Sequence, residues 1–204
     1  MRLVIASNNE KKRAEIAGIL GHLSVEIVPT DETAFVDVVE DGDSFAENAR
    51  KKAEAFSRAN HLPALADDSG LCVDALDGAP GVYSSRYAGE HASDTDNNAR
   101  LLTELAGNSI RTAYFTCAIH LCFVDDRQAV TASGEVQGVI LDKPDGAGGF
   151  GYDPLFYCPE LGKSFAQAGP DEKARVSHRG RALRALAKKL ESTTEAQSLR
   201  ENTK

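Results

Sequence analysis

Arg2-Leu-Val-Ile-Ala6, followed at once by Ser7-Asn8-Asn9-Glu10-Lys11-Lys12, is the stretch on which the fold turns. The apolar run suits a short buried strand. Ser7-Asn8-Asn9 then brings side chains that cap helices, and Ile16, Ile19 and Leu20 lay an apolar stripe along the helix that follows. Strand, polar turn and helix in that order aim backbone N–H groups at whatever lies above the strand end. The predicted class is α/β.

Outward from this unit, Val25–Val28 reads as a second strand and 29–43 as a loop carrying Asp37, Glu40, Asp41 and Asp43. Ser44-Phe-Ala-Glu47 has the S-x-x-E form of a capping box and predicts a helix to about Asn60. Ala64–Ala66 and Leu71–Leu76 read as two short strands flanking an acidic turn, Asp67-Asp68-Ser69-Gly70. Gly78-Ala-Pro-Gly81 is a further turn, and Ser93 opens a helix reaching Ala106. Arg111–Val124 and Gln128–Leu141 are β-rich runs that Asp125-Asp126-Arg127 joins as a hairpin. Ser177 caps a final helix to about Leu190, with Leu183, Leu186 and Leu190 at core spacing. Residues 1–190 thus form a single domain, and 191–204, polar and without an apolar stripe, read as a disordered tail.

The 204 residues carry 23 Lys+Arg against 31 Asp+Glu, a formal charge of −8. That balance disfavours nucleic acid as a partner, because phosphate neutralisation needs a basic face. A small phosphorylated ligand needs only a few local cations and N–H groups. No apolar run is long enough for a membrane span or a signal peptide. The four cysteines, Cys72, Cys117, Cys122 and Cys158, form no C-x-x-C pair and read as buried free thiols of a cytoplasmic protein.

Two phosphate-binding patterns fail on inspection. Gly162-Lys163-Ser164 resembles the end of a Walker A loop, but Tyr157 stands where its first glycine belongs. Gly146-Ala-Gly-Gly-Phe-Gly151 fits G-x-G-x-x-G, yet Tyr152-Asp153-Pro154 opposes the helix that pattern should open. Asp67-Asp68 is more informative: adjacent carboxylates repel, and burying them requires a cation or hydrogen-bond donors. At a strand end one can hold a metal while its neighbour orients water, and Glu40 is an acid able to complete such a site. His178 and Arg179 at a helix N-terminus oppose the helix dipole, which points them, with Lys173, at a ligand or an acidic partner.

Five motifs stand in one order: Ser7-Asn-Asn-Glu-Lys-Lys12, Ala66-Asp-Asp-Ser-Gly-Leu71, Gly78-Ala-Pro-Gly81 with Ser85-Arg-Tyr87, Gly149-Phe-Gly-Tyr-Asp-Pro154 and Ser177-His-Arg-Gly180. Over residues 2–190 the chain resembles the inosine triphosphate pyrophosphatase family, which hydrolyses non-standard purine nucleoside triphosphates. Asn8 fills a place that is often glycine in that family. The resemblance implies a long bent mixed sheet flanked by helices, with two lobes around a deep cleft. It implies a homodimer, Mg²⁺ dependence and the products nucleoside monophosphate and pyrophosphate. By the same resemblance, Ser7, Asn8, Asn9 and Lys12 hold the triphosphate with help from Lys52. Glu40 and Asp68 place the metal, Asp68 also accepting a proton, and Ser69 contacts substrate. Phe150 stacks on the purine beside Gly151, Tyr152 and Asp153. Lys173, His178 and Arg179 read the base edge, pairing with O6 of hypoxanthine or xanthine and clashing with the adenine amino group. Two rival readings are a pyrophosphatase for modified pyrimidine nucleotides and a nucleotide sensor without turnover.

Overall fold

The computed structural model describes residues 1–21, 25–125 and 128–201, with side chains described to residue 192. Arg2–Ile5 (β1) leads into helix Glu10–Leu20 (α1), and Glu26–Ile27 (β2) returns parallel to β1. Helix Phe45–Asn60 (α2) begins at Ser44, whose side chain accepts from Glu47 N, as the capping box predicts. Strand Ala64–Val73 (β3) pairs parallel to β1, and helix Asp94–Glu104 (α3) follows with a full capping box between Ser93 and Asp96. Thr112–Cys122 (β4) and Val130–Ile140 (β5) form the expected antiparallel pair. Of the residues joining them, Asp126 and Arg127 lie outside those described. Phe156–Cys158 (β6) and Lys163–Ser164 (β7) complete a mixed seven-stranded sheet of order β2-β1-β3-β4-β5-β6-β7. Gly162-Lys163-Ser164 is therefore part of a hairpin and not a phosphate loop.

Two expectations change here. The acidic tetrapeptide is no turn: β3 runs unbroken through it for ten residues. Along a strand, side chains alternate between faces, so Asp67 and Asp68 point to opposite sides of the sheet, Asp67 hydrogen-bonded to Arg179 and Asp68 to Lys52. Their adjacency in sequence does not make them neighbours in charge. The last helix (His178–Glu201, α5) also runs past the expected end near Leu190. An apolar stripe is needed to dock a helix, and Glu, Ala, Gln, Leu and Arg can still propagate one. A short helix, Pro170–Val176 (α4), precedes it and ends at Ser177, whose Oγ accepts from Gly180 N at 3.1 Å.

Three apolar clusters organise the molecule. Leu3, Ile5 and Leu65 of the sheet pack on Ile16 of α1 and Leu183 and Leu186 of α5. On the opposite face Val4, Ala64 and Ala66 meet Ala53 and Phe56 of α2. The far ends of the long strands, with Leu71, Phe115 and Val136, close over Leu101 and Leu105 of α3 together with Phe156 and Phe165. Each fully buried Val, Leu, Ile or Phe among them contributes about 1.5–3 kcal/mol. Two lobes thus share β3, β4 and β5, and the cleft lies between them.

Candidate active site

The cleft begins at the β1–α1 turn. Asn9 caps α1, its Oδ1 accepting from Lys12 N at 3.1 Å, while Asn9 N donates to Ser7 Oγ at 3.2 Å. Asn8 Nδ2 donates to Val36 O at 3.1 Å and ties the turn to the acidic loop. Ser7, Asn8, Asn9, Lys12, Lys52, Glu40, Asp68 and Ser69 all line one cavity of about 470 Å³. The helix N-terminus and two lysines give this end of the cleft the character of an anion site in an otherwise acidic protein.

Glu40 and Asp68 share a single ammonium. Lys52 Nζ, buried on α2, donates to Glu40 Oε2 at 2.8 Å and to Asp68 Oδ1 at 3.5 Å. Asn48 Nδ2 donates to Asp68 Oδ2 at 3.2 Å, and Arg86 Nη2 holds the Glu40 backbone carbonyl at 2.9 Å. Burial raises the Asp68 pKa above the ordinary aspartate value; Lys52 and Lys12 oppose that shift and Glu40 adds to it. Among the described residues no cluster of three or more His, Cys, Asp or Glu gathers at metal-binding distances. Two converging carboxylates nevertheless fit Mg²⁺, which is usually held by one or two protein carboxylates together with substrate phosphates.

On the other face of β3, Arg179 is almost fully enclosed. Its Nε and Nη2 donate to Asp67 Oδ2 at 3.1 and 2.8 Å, Nη2 reaches Ser69 Oγ at 2.9 Å, and Nη1 pairs with Glu15. Burial alone would raise the Asp67 pKa, but the guanidinium, with Lys12 and Lys52, carries it far below the usual carboxylate range. Glu15 also accepts from Lys173 Nζ at 2.8 Å, and Lys173 donates to Asp153 Oδ2 at 2.6 Å. A larger groove of about 560 Å³ between α1 and α4 backs onto Glu15 and Lys173 and contains none of the β1–α1 turn.

Phe150, Gly151, Tyr152, Asp153, Lys173, His178 and Arg179 converge on a second cavity of about 110 Å³. It shares Asn9, Lys12, Ser69 and Ser85 with the first, so the two are continuous. Phe150 is half-buried with Lys173 Nζ 4.7 Å from its ring centroid. His178 stacks on Phe115 at 4.7 Å between centroids, and its buried Nδ1 has no hydrogen-bond partner among the described residues. Burial, then the positive charge of Arg179, hold His178 neutral by pushing its pKa well below the ordinary value. Gly134 on β5 lets α5 start here: a Cβ would lie 2.4 Å from His178 O and 2.5 Å from Ala182 N.

Sequence reading did not assign Glu15, Asn48, Asp94 or Phe115 to the cleft. Glu15 carries no local signal, since its partners Lys173 and Arg179 lie 158 and 164 residues away. Asp67 was visible as half of a pair but not as the partner of Arg179.

The Ham1 family model matches residues 3–189. A dITP/XTP pyrophosphatase of Geobacter sulfurreducens is 53% identical, over 91% of this chain and 94% of that protein. Another, of Ralstonia nicotianae, is 47% identical, over 93% of this chain and 96% of its own length. The structure of the Staphylococcus aureus Ham1 protein superposes with a TM-score of 0.84 at 41% identity, covering 95% of this chain and all of that one. With five motifs in register, one continuous cleft and this likeness along nearly its whole length, the chain belongs to the Ham1 family, the inosine triphosphate pyrophosphatase relatives that its sequence resembles.

Proposed function

We propose that this enzyme hydrolyses ITP, dITP and XTP to the nucleoside monophosphate and pyrophosphate, keeping these nucleotides out of DNA and RNA. The observation that carries the reading is the position of Asp68. It is a buried carboxyl of raised proton affinity in the cavity beside the cationic turn, and its neighbour Ser69 lines both that cavity and the base pocket. In-line attack of water at the α-phosphorus needs positioning and charge neutralisation more than covalent chemistry. Ser7, Asn9 and Lys12 hold the phosphates from the α1 end, and Lys52 answers from α2. Asp68 accepts the water's proton, its affinity tuned towards that task by desolvation. Glu40 and Asp68 would hold Mg²⁺, which would supply charge neutralisation on the leaving pyrophosphate.

At the other end the purine lies against Phe150. Lys173 and Arg179 are engaged by Asp153, Glu15, Asp67 and Ser69, so they present a fixed rim of N–H groups. The neutral His178, with its unpaired Nδ1, is the group in this pocket whose hydrogen-bonding capacity the protein leaves unmet. Such a pocket rejects a base that leaves its buried groups unpaired, at about 1–3 kcal/mol per misfit. Four buried free thiols support a reducing, cytoplasmic location. No helix among the described residues is long and apolar enough to cross a membrane. Phe35, Val39 and Tyr83, 80%, 74% and 59% exposed, support a homodimer that covers them.

The deciding assay follows pyrophosphate and orthophosphate separately from ITP, dITP, XTP and ATP, with and without Mg²⁺. Pyrophosphate from the first three, and its loss without the metal, is the expected result. Orthophosphate alone overturns the reaction, binding without turnover favours a sensor, and preference for a modified pyrimidine triphosphate favours the other rival.

A further inference from the structure

Helix α3 belongs to the lobe remote from the phosphate turn, yet two of its side chains grip one residue of the base wall. Gly151 Nα–H donates to Asp94 Oδ2 at 2.7 Å, and Asn98 Nδ2 donates to the Gly151 carbonyl at 2.9 Å. Residues four apart share a helix face, so positions 94 and 98 are spaced to bracket both polar groups of a single residue. Gly151 is in the left-handed region at φ +60°, which turns its N–H and C=O towards the helix. Phe150, one residue before, is fixed from its other side by its own N–H, which donates to Asp153 Oδ2 at 2.9 Å. Asn98 is buried, and its Oδ1 finds no partner among the described residues. A fold rarely keeps an unpaired buried amide oxygen, and here the same amide holds Gly151.

We propose that Asp94 and Asn98 are positioning residues that set the Phe150 ring against the purine, so that α3 tunes base recognition without touching the phosphates. This rests on the reading that the cleft hydrolyses purine triphosphates. Asp94 also stands in the first turn of α3, where any acid favours the helix. The two roles separate by substitution. Asp94→Ala loses both the charge and the acceptor, whereas Asp94→Asn loses the charge and keeps an acceptor oxygen for Gly151.

The experiment measures kcat and KM for ITP, inhibition by inorganic tripolyphosphate, and Tm, for wild type, Asp94→Ala, Asp94→Asn, Asn98→Leu and Asp96→Ala. Loss of one hydrogen bond should raise KM for ITP roughly three- to tenfold in Asp94→Ala and Asn98→Leu. Their kcat should stay within about twofold and inhibition by tripolyphosphate, which has no base, should not weaken. Asp94→Asn should recover most of the KM, and Asp96→Ala, which breaks the capping box alone, should lower Tm with KM unmoved. The clamp is overturned if KM is unmoved in Asp94→Ala and Asn98→Leu, or if Asp96→Ala raises it equally. It is also overturned if Asp94→Asn fares no better than Asp94→Ala, or if tripolyphosphate inhibition weakens in step. Wild type that releases no pyrophosphate from ITP sinks the underlying reaction and the clamp with it. Active wild type with unmoved variants sinks the clamp alone.

Discussion

Asp67 and Asp68 are consecutive on one strand, yet the two faces of the sheet give them opposite chemistry. Asp67 faces α5 and receives two N–H groups from a buried guanidinium, which fixes it as an anion far below the usual carboxylate range. Asp68 faces α2, where one lysine is divided between it and Glu40, and desolvation leaves its proton affinity raised. Burial is common to both, and the completeness of neutralisation is what differs. A carboxylate gripped by two N–H groups of a buried guanidinium is a structural anchor, even where that guanidinium also serves Glu15. One held by the longer 3.5 Å contact to a lysine that sits closer to a second acid is ready to take a proton or a metal.

The strongest way to break this contrast is to exchange the roles. Asp68→Asn should lower kcat by roughly 10²–10⁴ in a pyrophosphate-release assay, with Tm nearly unchanged because Lys52 retains Glu40. Near-normal turnover would place the proton acceptor elsewhere, and inactivity of Asp67→Asn with an intact Tm would show that the assignment is reversed. Removal of the anchor's partner should act on the fold first. Arg179→Ala leaves Asp67 and Glu15 without their guanidinium and should destabilise by about 3–5 kcal/mol, seen as a Tm lower by roughly 6–20 °C. A Tm within about 2 °C of wild type would show that water replaces the guanidinium and that the face is less dry than its burial implies.

Smaller effects sharpen the comparison. Phe150→Ala should weaken all purine triphosphates alike, by about 1–3 kcal/mol of lost stacking read as KM, and leave tripolyphosphate inhibition intact. A change confined to one purine would turn the ring from a platform into a reader of base identity. The smallest expected effect is a displaced titration. Burial raises the Asp68 pKa of the metal-free protein, so its carboxyl should take up a proton at higher pH than a free aspartate, read by NMR titration without Mg²⁺ against Asp68→Asn. The stability consequences run in opposite directions. Asp68, raised in the fold, contributes stability below 3.8 and loses it as pH rises through its folded value. Asp67, depressed, contributes above 3.8 and loses that contribution progressively as pH falls from there towards its folded value. His178, held neutral, contributes above 6.5 and loses that contribution as pH falls. A metal-free Asp68 that titrates at or below 3.8 would show that Lys52 and Lys12 outweigh its desolvation.

The linear sequence by itself determined what depends on neighbours a few residues apart. The caps at Asn9, Ser44, Ser93 and Ser177 all follow from short-range hydrogen bonds, as does the strand–turn–helix opening. The ordered motifs carried the family and most residues of the cleft, since those residues sit inside local signatures. Only the tertiary structure decided that β3 continues through Asp67-Asp68, because the tetrapeptide has turn-like composition. Its strand conformation is stabilised by pairing to β4, where Asp67 lies opposite Ile119 and Asp68 opposite Ala118. Glu15 and the pairing of Asp67 with Arg179, 112 residues away, belong to the same class. A side chain's charge state is set by how fully it is dried and by which charge faces it, and both are properties of packed elements that no local pattern encodes.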